Sequence, residues 1–465
     1  MTLELEDIQG DILRAYGNHY DCTTYVFLGV RDEQSGRALM ADLAALVTDA
    51  APWTAESKPE RHFNVAVTYY GLLALGVPQQ VADSFSPEFR LGMAARAARL
   101  GDVGPSEPAH WEAGLGTGAA HVLVTVNALD PTSLKAAMDE LGMLIEQHGP
   151  TVVTQRQAEL MPDTREHFGF ADGFAQPAIV GASDDKAAGG GVPIGGGKWR
   201  PLQPGEFVLG YPDEDTVLDE QRRLPDAPIG PLGRNGTYMV WRRLHQDVAR
   251  FRQVVKAAAE HYEGGDEERL RAKIVGRWDD GSPLVDYPDA PATAGADGTF
   301  DQTAPGANDF TYRHSGDEAG ARCPIGSHVR RSNPRDGLGW EGALSFRHRI
   351  IRRGMPYGPR LPEDVTEDDG ADRGLVFVCF QASIARQFEA IQVQWLNDGN
   401  VFGLGHDTDF IMGTHRDAGG SMVIQGERPF YLSQQDDFVT MRGGEYLFVP
   451  GISGLRAIAS GTTAP

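Results

Sequence analysis

The alternation of strand and helix signals predicts an α+β fold in two related halves. Three observations carry that prediction. They are the order of elements over 22–160, an interrupted recurrence of that order over 236–451, and a glycine-dense irregular stretch between them. In the first half, CTTYVFLGV (22–30) is rich in β-branched and aromatic residues, which suit a pleated strand. SGRALMADLAALVTDA (35–50) spaces its apolar residues for a helix. FNVAVTYYGLLAL (63–75) holds a strand that passes into a helix start, and AHVLVTVNAL (120–129) alternates as a strand. Asp130 and Pro131 introduce a helix over 132–149, which Gly149 closes. TVVTQRQAEL (151–160) is the next strand. This order is close to βαββαβ, the ferredoxin-like split βαβ unit.

The second half repeats these signals with interruptions. EFVLGY (206–211) and GTYMVWRRL (236–244) read as strands, and QDVARFRQVVKAAAEHY (246–262) as an amphipathic helix. A polar stretch over 287–310 reads as a long loop. GLVFVCFQA (374–382) is a buried strand, SIARQFEAIQVQWLND (383–398) a helix and EYLFVPG (445–451) a late strand. The reading is an N-terminal half over 1–165, a linking segment over 166–205 and a C-terminal half over 206–465. In the glycine-dense segment KAAGGGVPIGGGK (186–198), Val192 stands where a phosphate loop needs its first glycine. Trp199 stands where that loop needs Ser or Thr, so a phosphate loop is rejected.

Composition narrows the function classes. Of 465 residues, 41% are hydrophobic and 23% charged, as in an ordinary globular protein. The formal net charge of -23 argues against nucleic acid and anionic membranes as partners. No run approaches 18 consecutive apolar residues, so no membrane span is expected. The start, MTLELEDIQGDILRAYG, does not read as a secretory signal. Three scattered cysteines, Cys22, Cys323 and Cys379, make no disulfide framework, and a reducing cytoplasm fits them. No C-x-x-C-H motif is present, so thioether attachment of a prosthetic group is not expected.

Four segments hold residues able to do chemistry. In FGFADGFAQP (168–177), Asp172-Gly173 is an ordinary turn signal. The flanking Phe168, Phe170 and Phe174 would place its carboxylate in apolar surroundings, where the pKa should rise and a proton shuttle becomes feasible. In CPIGSHVRRSNPRD (323–336), His328 has Arg330, Arg331 and Arg335 within seven residues. Those cations would suit anionic cofactor groups, or equally a solvated basic face. In RIIRRGMPYG (349–358), Arg352 and Arg353 could pair with surface carboxylates or stabilise charge on a reacting oxygen. In GLVFVCFQA, strand periodicity puts Leu375 and Phe377 on one face, as core or as the dry wall of a pocket.

Taken together, these segments resemble the dye-decolourising peroxidase family. FGFADGFAQP resembles its GFxDG signature. CPIGSHVRRSNPRD resembles the stretch with its proximal histidine, and IIRRGMPYG the stretch with its distal arginine. FVCFQASIARQFEAIQ and IVGRWDDGSPL (274–284) also look like family segments. The resemblance covers most of 165–450, with a weaker match before it, and the insertions suggest the larger, elaborated branch. It implies two ferredoxin-like halves in a dimeric α+β barrel-like arrangement within one chain, with one non-covalent haem b in the C-terminal half. It carries the axial iron ligand onto His328, the distal acid onto Asp172 and the distal arginine onto Arg352, with Arg353 as fallback. Glu389 is expected to accept from the second imidazole nitrogen. Arg330, Leu375 and Phe377 are expected to complete the haem site.

The implied activity is reduction of hydrogen peroxide, with one-electron oxidation of dyes, phenols or Mn(II). A haem-handling protein or a non-catalytic haem-binding protein is the alternative. Trp340, Trp395 and Tyr357 are candidates for carrying electrons from bulky donors, against the ordinary reading of core aromatics. The acidic run Glu260, Glu263, Asp266, Glu267 and Glu268 reads more readily as a solvated helix end than as a divalent-cation site.

Overall fold

The computed structural model describes residues 2–14, 20–54, 56–183, 187–215, 224–292, 300–301, 306–415 and 420–464. Lys186 of the glycine-dense segment and 293–299 and 302–305 of the polar stretch lie outside them.

The first unit runs β1 (Cys22–Gly29), α1 (Glu33–Leu46), β2 (Arg61–Val67), β3 (Val122–Ala128), α2 (Pro131–His148) and β4 (Thr151–Glu159). Local chemistry sets its boundaries. Asp32 caps α1 by accepting from Ser35 N at 2.9 Å. Asp130 caps α2 by accepting from Thr132 N and Ser133 N, both at 2.8 Å, and Pro131 opens the helix where no donor is needed. Gly149 ends it at φ 65, a left-handed position that glycine reaches without strain. The antiparallel strand order is β4-β1-β3-β2.

The second unit runs β5 (Thr237–Gln246), α3 (Val248–Ala259), a divided β6 (Ile351–Arg352 and Met355–Tyr357), β7 (Gly374–Gln381), α4 (Ala385–Leu396) and β8 (Val439–Val449). Its order is β8-β5-β7-β6, the same fourth-first-third-second sequence as the first unit. The units form one sheet, because β8 pairs with β2 at Phe448 and Val67. The far edge β4 comes round to Met355–Tyr357, so the sheet curls towards a barrel. One core fills the interior, with Phe27, Leu123, Trp241, Val378, Phe380 and Leu447. The other packs the opposite face against α1, α2 and α4.

Two departures from the sequence reading matter. EFVLGY is not a strand: a 3-10 turn occupies Pro204–Glu206, and Val208 N bonds back to Pro204 O at 2.8 Å. Phe207, Val208 and Leu209 are buried as a strand would be, and a short apolar run does not reveal whether it is laddered or turned. The α4 segment is wound with i→i+5 bonds, as in Glu389 N→Ile384 O (2.9 Å) and Asn397 N→Gln392 O (3.1 Å). Such winding clusters at functional sites.

Candidate active site

A cavity opens between β5, β7, α4 and the long insertion that joins α3 to β6. It holds about 1730 Å³ free of protein atoms, part of it open to solvent. Phe168, Phe170, Phe174, Leu375, Phe377, Phe388, Ile391 and Leu396 make most of its wall apolar, and Asp172, His328, Arg349 and Arg352 bring charge to it.

His328 begins a short helix, His328–Ser332, with Ser327 at its N-cap position. Its Nδ1 lies 3.1 Å from Asp409 Oδ2. Asp409 is fully buried, and its Oδ1 accepts from Ile411 N at 3.0 Å and Met412 N at 2.7 Å. Burial opposes the imidazolium of His328, but the Asp409 carboxylate outweighs it and raises the pKa. Burial likewise opposes the Asp409 charge, and His328 more than compensates, so that pKa is lowered. The carboxylate therefore holds the Nδ1 proton, and Nε2, with no protein partner among the described residues, is left for a ligand.

Asp172 and Arg352 also face the cavity and pair at 3.0 Å between Oδ1 and Nη2. The Asp172 side chain is 61% accessible because it looks into the cavity rather than into packed protein. Its pKa runs opposite to the sequence expectation. Burial does push it up, but the Arg352 guanidinium and the Gly173 amide bring it below the ordinary carboxylate value. The chain holds this pair tightly. Gln176 Nε2 donates to Arg352 O at 3.0 Å while Arg352 N donates to Gln176 Oε1 at 3.2 Å. Arg353 turns away: its Nη1 donates to Arg352 O, and its Nε and Nη2 donate to Asp11 O and Ile12 O.

Leu375 and Phe377 line the cavity, whereas two other expected residues do not. Glu389 points to the first unit. It accepts from Arg96 Nε and Nη2, lies 3.5 Å from Arg99 Nε and accepts from Tyr446 Oη at 3.0 Å. The acceptor on His328 is Asp409 instead. The signal for it was present, since DFIMG (409–413) sets a carboxylate beside an apolar run as FGFADGF does. Arg330 is consumed by main-chain carbonyls, donating to Cys323 O at 2.7 Å and Asp317 O at 3.0 Å, and lies over the Tyr312 ring. Arg331 and Arg335 are spent in the same way.

Besides Arg352, the cavity has cations that the sequence reading passed over, Arg349 and Arg277 among them. Arg349 is buried, its contact to Ala175 O is long at 3.4 Å, and no carboxylate pairs with it among the described residues. Burial, with the Arg335 and Arg352 charges, lowers its pKa to about 9. Arg277, bonded to Gly281 O and Ala307 O, is likewise brought down to about 9, by burial and Arg335. A buried cation lacking a counter-ion suits an anionic ligand. An apolar slot, an imidazole with a free Nε2 and under-compensated arginines together fit a haem with its carboxylates.

Of the electron-carrying candidates, Trp395 is buried and packs edge-on against His348, a cavity residue, with centroids 5.1 Å apart. Trp340 is 81% exposed. Tyr357 is buried beneath the Arg243 guanidinium. The acidic run spans the end of one helix and the start of the next: Glu260 follows the last residue of α3, Asp266 caps Glu267–Val275, and Glu263 pairs with Arg428. Among the described residues no group of three or more His, Cys, Asp or Glu stands ready to hold a metal ion, and no helix is long and apolar enough to cross a membrane.

Comparison with known proteins agrees with this geometry. Residues 7–159 match the DyP dimeric alpha+beta barrel domain, and 230–404 match the C-terminal domain of Dyp-type peroxidases. Dye-decolorizing peroxidase msp1 of Mycetinis scorodonius is 30% identical across 98% of this chain and 88% of its own length. Multifunctional dye peroxidase DyP2 of an Amycolatopsis species is 30% identical across 98% of this chain and 96% of its own length. The solved structure of an ancestral D-type dye decolorizing peroxidase superposes with a TM-score of 0.81 at 27% identity, covering 98% of this chain and 99% of its own. A dye-decolorizing peroxidase solved in complex with 2,6-dimethoxyphenol superposes at 0.78 with 26% identity, covering 98% of this chain and all of its own. This chain belongs to the dye-decolourising peroxidase family and is a haem-dependent peroxidase.

Proposed function

We propose that the chain holds one haem b, without covalent attachment, through His328 Nε2, and uses hydrogen peroxide to oxidise phenols and dyes. The observation that supports this most is the meeting of the His328–Asp409 pair and the Asp172–Arg352 pair at one apolar cavity. Haem, when bound, supplies the redox centre that takes two oxidising equivalents from peroxide and passes them on singly.

The chain's own residues do the rest. Asp409 accepts the Nδ1 proton of His328 and makes the imidazole more electron-rich. Asp172, ionised by its pairing, takes a proton from hydrogen peroxide onto a carboxylate oxygen and returns it to the departing oxygen, which leaves as water. Arg352 stabilises the negative charge that develops on that oxygen. Leu375 and Phe377 keep bulk water from the reacting atoms, and Arg349 and Arg277 neutralise the haem carboxylates. Donors too bulky for the cavity give up electrons at the surface, with Trp395 as the inner step. Aromatic donors are the proposed class, as the phenol complex of the related structure suggests. Three free, buried cysteines support a reducing cytoplasm as the compartment.

The test is an absorption spectrum with and without peroxide, followed by steady turnover of a small phenol. The parent should take up one haem and turn over. His328→Ala should lose the haem or hold it weakly, and a normal Soret band in that variant would assign the ligand to another histidine.

A further inference from the structure

Behind Asp409 lies a second acid–imidazole contact, with a buried imidazole and a half-buried acid. The His415 side chain is fully enclosed, and its Nε2 sits 3.1 Å from the main-chain oxygen of Asp409. A carbonyl oxygen only accepts, so Nε2 carries a hydrogen. Nδ1 then faces Asp437 Oδ1 at 3.4 Å, and that same oxygen accepts from His415 N at 2.8 Å. Nδ1 makes no hydrogen bond among the described residues, so the one hydrogen bond of the ring is that from Nε2 to Asp409 O.

The surroundings are built for this ring. It lies against Gly420, where an added Cβ would come within 2.2 Å of Nε2. Phe410 flanks it at 6.4 Å between centroids. The charged groups that face the pair are the Asp409 carboxylate, turned away to His328, and Asp436, itself 3.1 Å from Arg250. Burial pushes the Asp437 carboxyl up.

We propose that His415 is a positioning residue for the proximal pair: its Nε2–H pins the Asp409 carbonyl so that the Asp409 carboxylate stays aimed at His328 Nδ1. The turn it pins is short, with Gly413 N also bonded to Asp409 O at 2.9 Å. Two donors on one carbonyl fix the orientation of the residue whose side chain tunes the imidazole. The proposal rests on the reading of His328 as the haem ligand, and the experiment separates the two.

The readouts are the Fe(III)/Fe(II) midpoint potential and the ferrous iron–histidine stretching frequency of the haem-loaded protein. Asp409→Asn, the reference, should raise the potential and lower the frequency. His415→Phe fills the space but donates nothing, and should move both in the same direction. We expect about a tenfold change in the one-electron equilibrium, about 59 mV. His415→Gln, whose amide can donate to the same carbonyl, should return both readouts towards the parent. If His415→Phe does not take up haem, His415→Met, unbranched and without a donor, carries the same expectation. Parent-like values in the donor-less variant beside a shifted Asp409→Asn would overturn the proposal alone. Parent-like values in Asp409→Asn would overturn the proposal together with the ligand reading.

Discussion

The two units share a strand order and differ in what interrupts it. In the first, α1 passes to β2 through residues 47–60, and β2 is continuous from Arg61 to Val67. In the second, α3 passes to β6 through residues 260–350, and β6 breaks between Arg352 and Met355. The insertion carries His328 and Arg349, and the break carries Arg352. The repeated unit thus supplies a rigid wall, and chemistry-bearing groups come from the departures from it. This is how one scaffold hosts function by local grafting. Two side chains in the second unit show the same division. Asp409, in a loop, serves the cavity, whereas Glu389, in α4, serves the join to the first unit.

Variants can break that comparison. The largest effects should come from the pair that the broken strand forms with the segment after β4. Arg352→Leu and Asp172→Asn should each keep haem and slow the reaction with peroxide on the order of 10²–10⁴-fold in stopped-flow measurements. Their pH profiles should separate them. Arg352 holds the Asp172 pKa down against burial, so the parent's acid limb should fall below the ordinary Asp value of about 3.9. Without Arg352 the burial effect remains, and the limb should move up. A limb that stays put would assign it to another group.

Next come the two carboxylates. Glu389→Gln should lower stability by ~1–3 kcal/mol in denaturant titration and leave the haem spectrum alone. Asp409→Asn should alter the spectrum. Interchanged results would return the proximal role to Glu389. A smaller effect is expected at Trp395. Trp395→Phe should slow turnover of a bulky dye several-fold while the peroxide step stays at the parent rate. Equal dye rates would mean that donors enter the cavity or use another route.

The smallest effect concerns Glu445 on β8. Burial lifts its pKa to about 8, and it accepts from Gly116 N at 2.6 Å. A carboxyl raised above its unfolded value of about 4.3 keeps its proton only in the folded chain. Stability should therefore fall as pH rises from that unfolded value to the folded one. Glu445→Gln cannot titrate, so it should gain a few degrees in Tm near pH 8 relative to the parent. That gain should vanish near pH 4, and a pH-independent difference would mean the parent carboxyl is not protonated.

The first unit was legible because each element is one uninterrupted run and an Asp caps the start of both helices. The second was harder, because a three-residue strand after Gly354 offers no period to read and a 91-residue insertion hides the recurrence. EFVLGY misled because burial without pairing leaves the same residues as burial with it. At the site, short segments pointed to His328, Asp172, Arg352, Leu375 and Phe377, and the structure brings all five to one cavity. Arg330 was misread because sequence proximity to His328 does not show that a guanidinium is aimed at carbonyls on the far side of its helix. Asp409 was missed because it is 81 residues from His328 and lies beyond α4, where attention to helix position favoured Glu389. The Asp172 pKa went the wrong way because its apolar neighbours are visible in sequence and its guanidinium partner, 180 residues on, is not.

The position of β8 bears on how the protein is made. Of the strands in the main sheet it is synthesised last, yet it sits between β2 and β5 and contributes Val439 to the cavity wall. A nascent chain can fold its first unit early, since domains form as units in order of synthesis. It cannot join that unit to the second, or close the wall beside His328, until the final strand has left the ribosome. Closure of the cavity wall therefore waits for β8, and a chain stalled before residue 439 would present the histidine in an open groove.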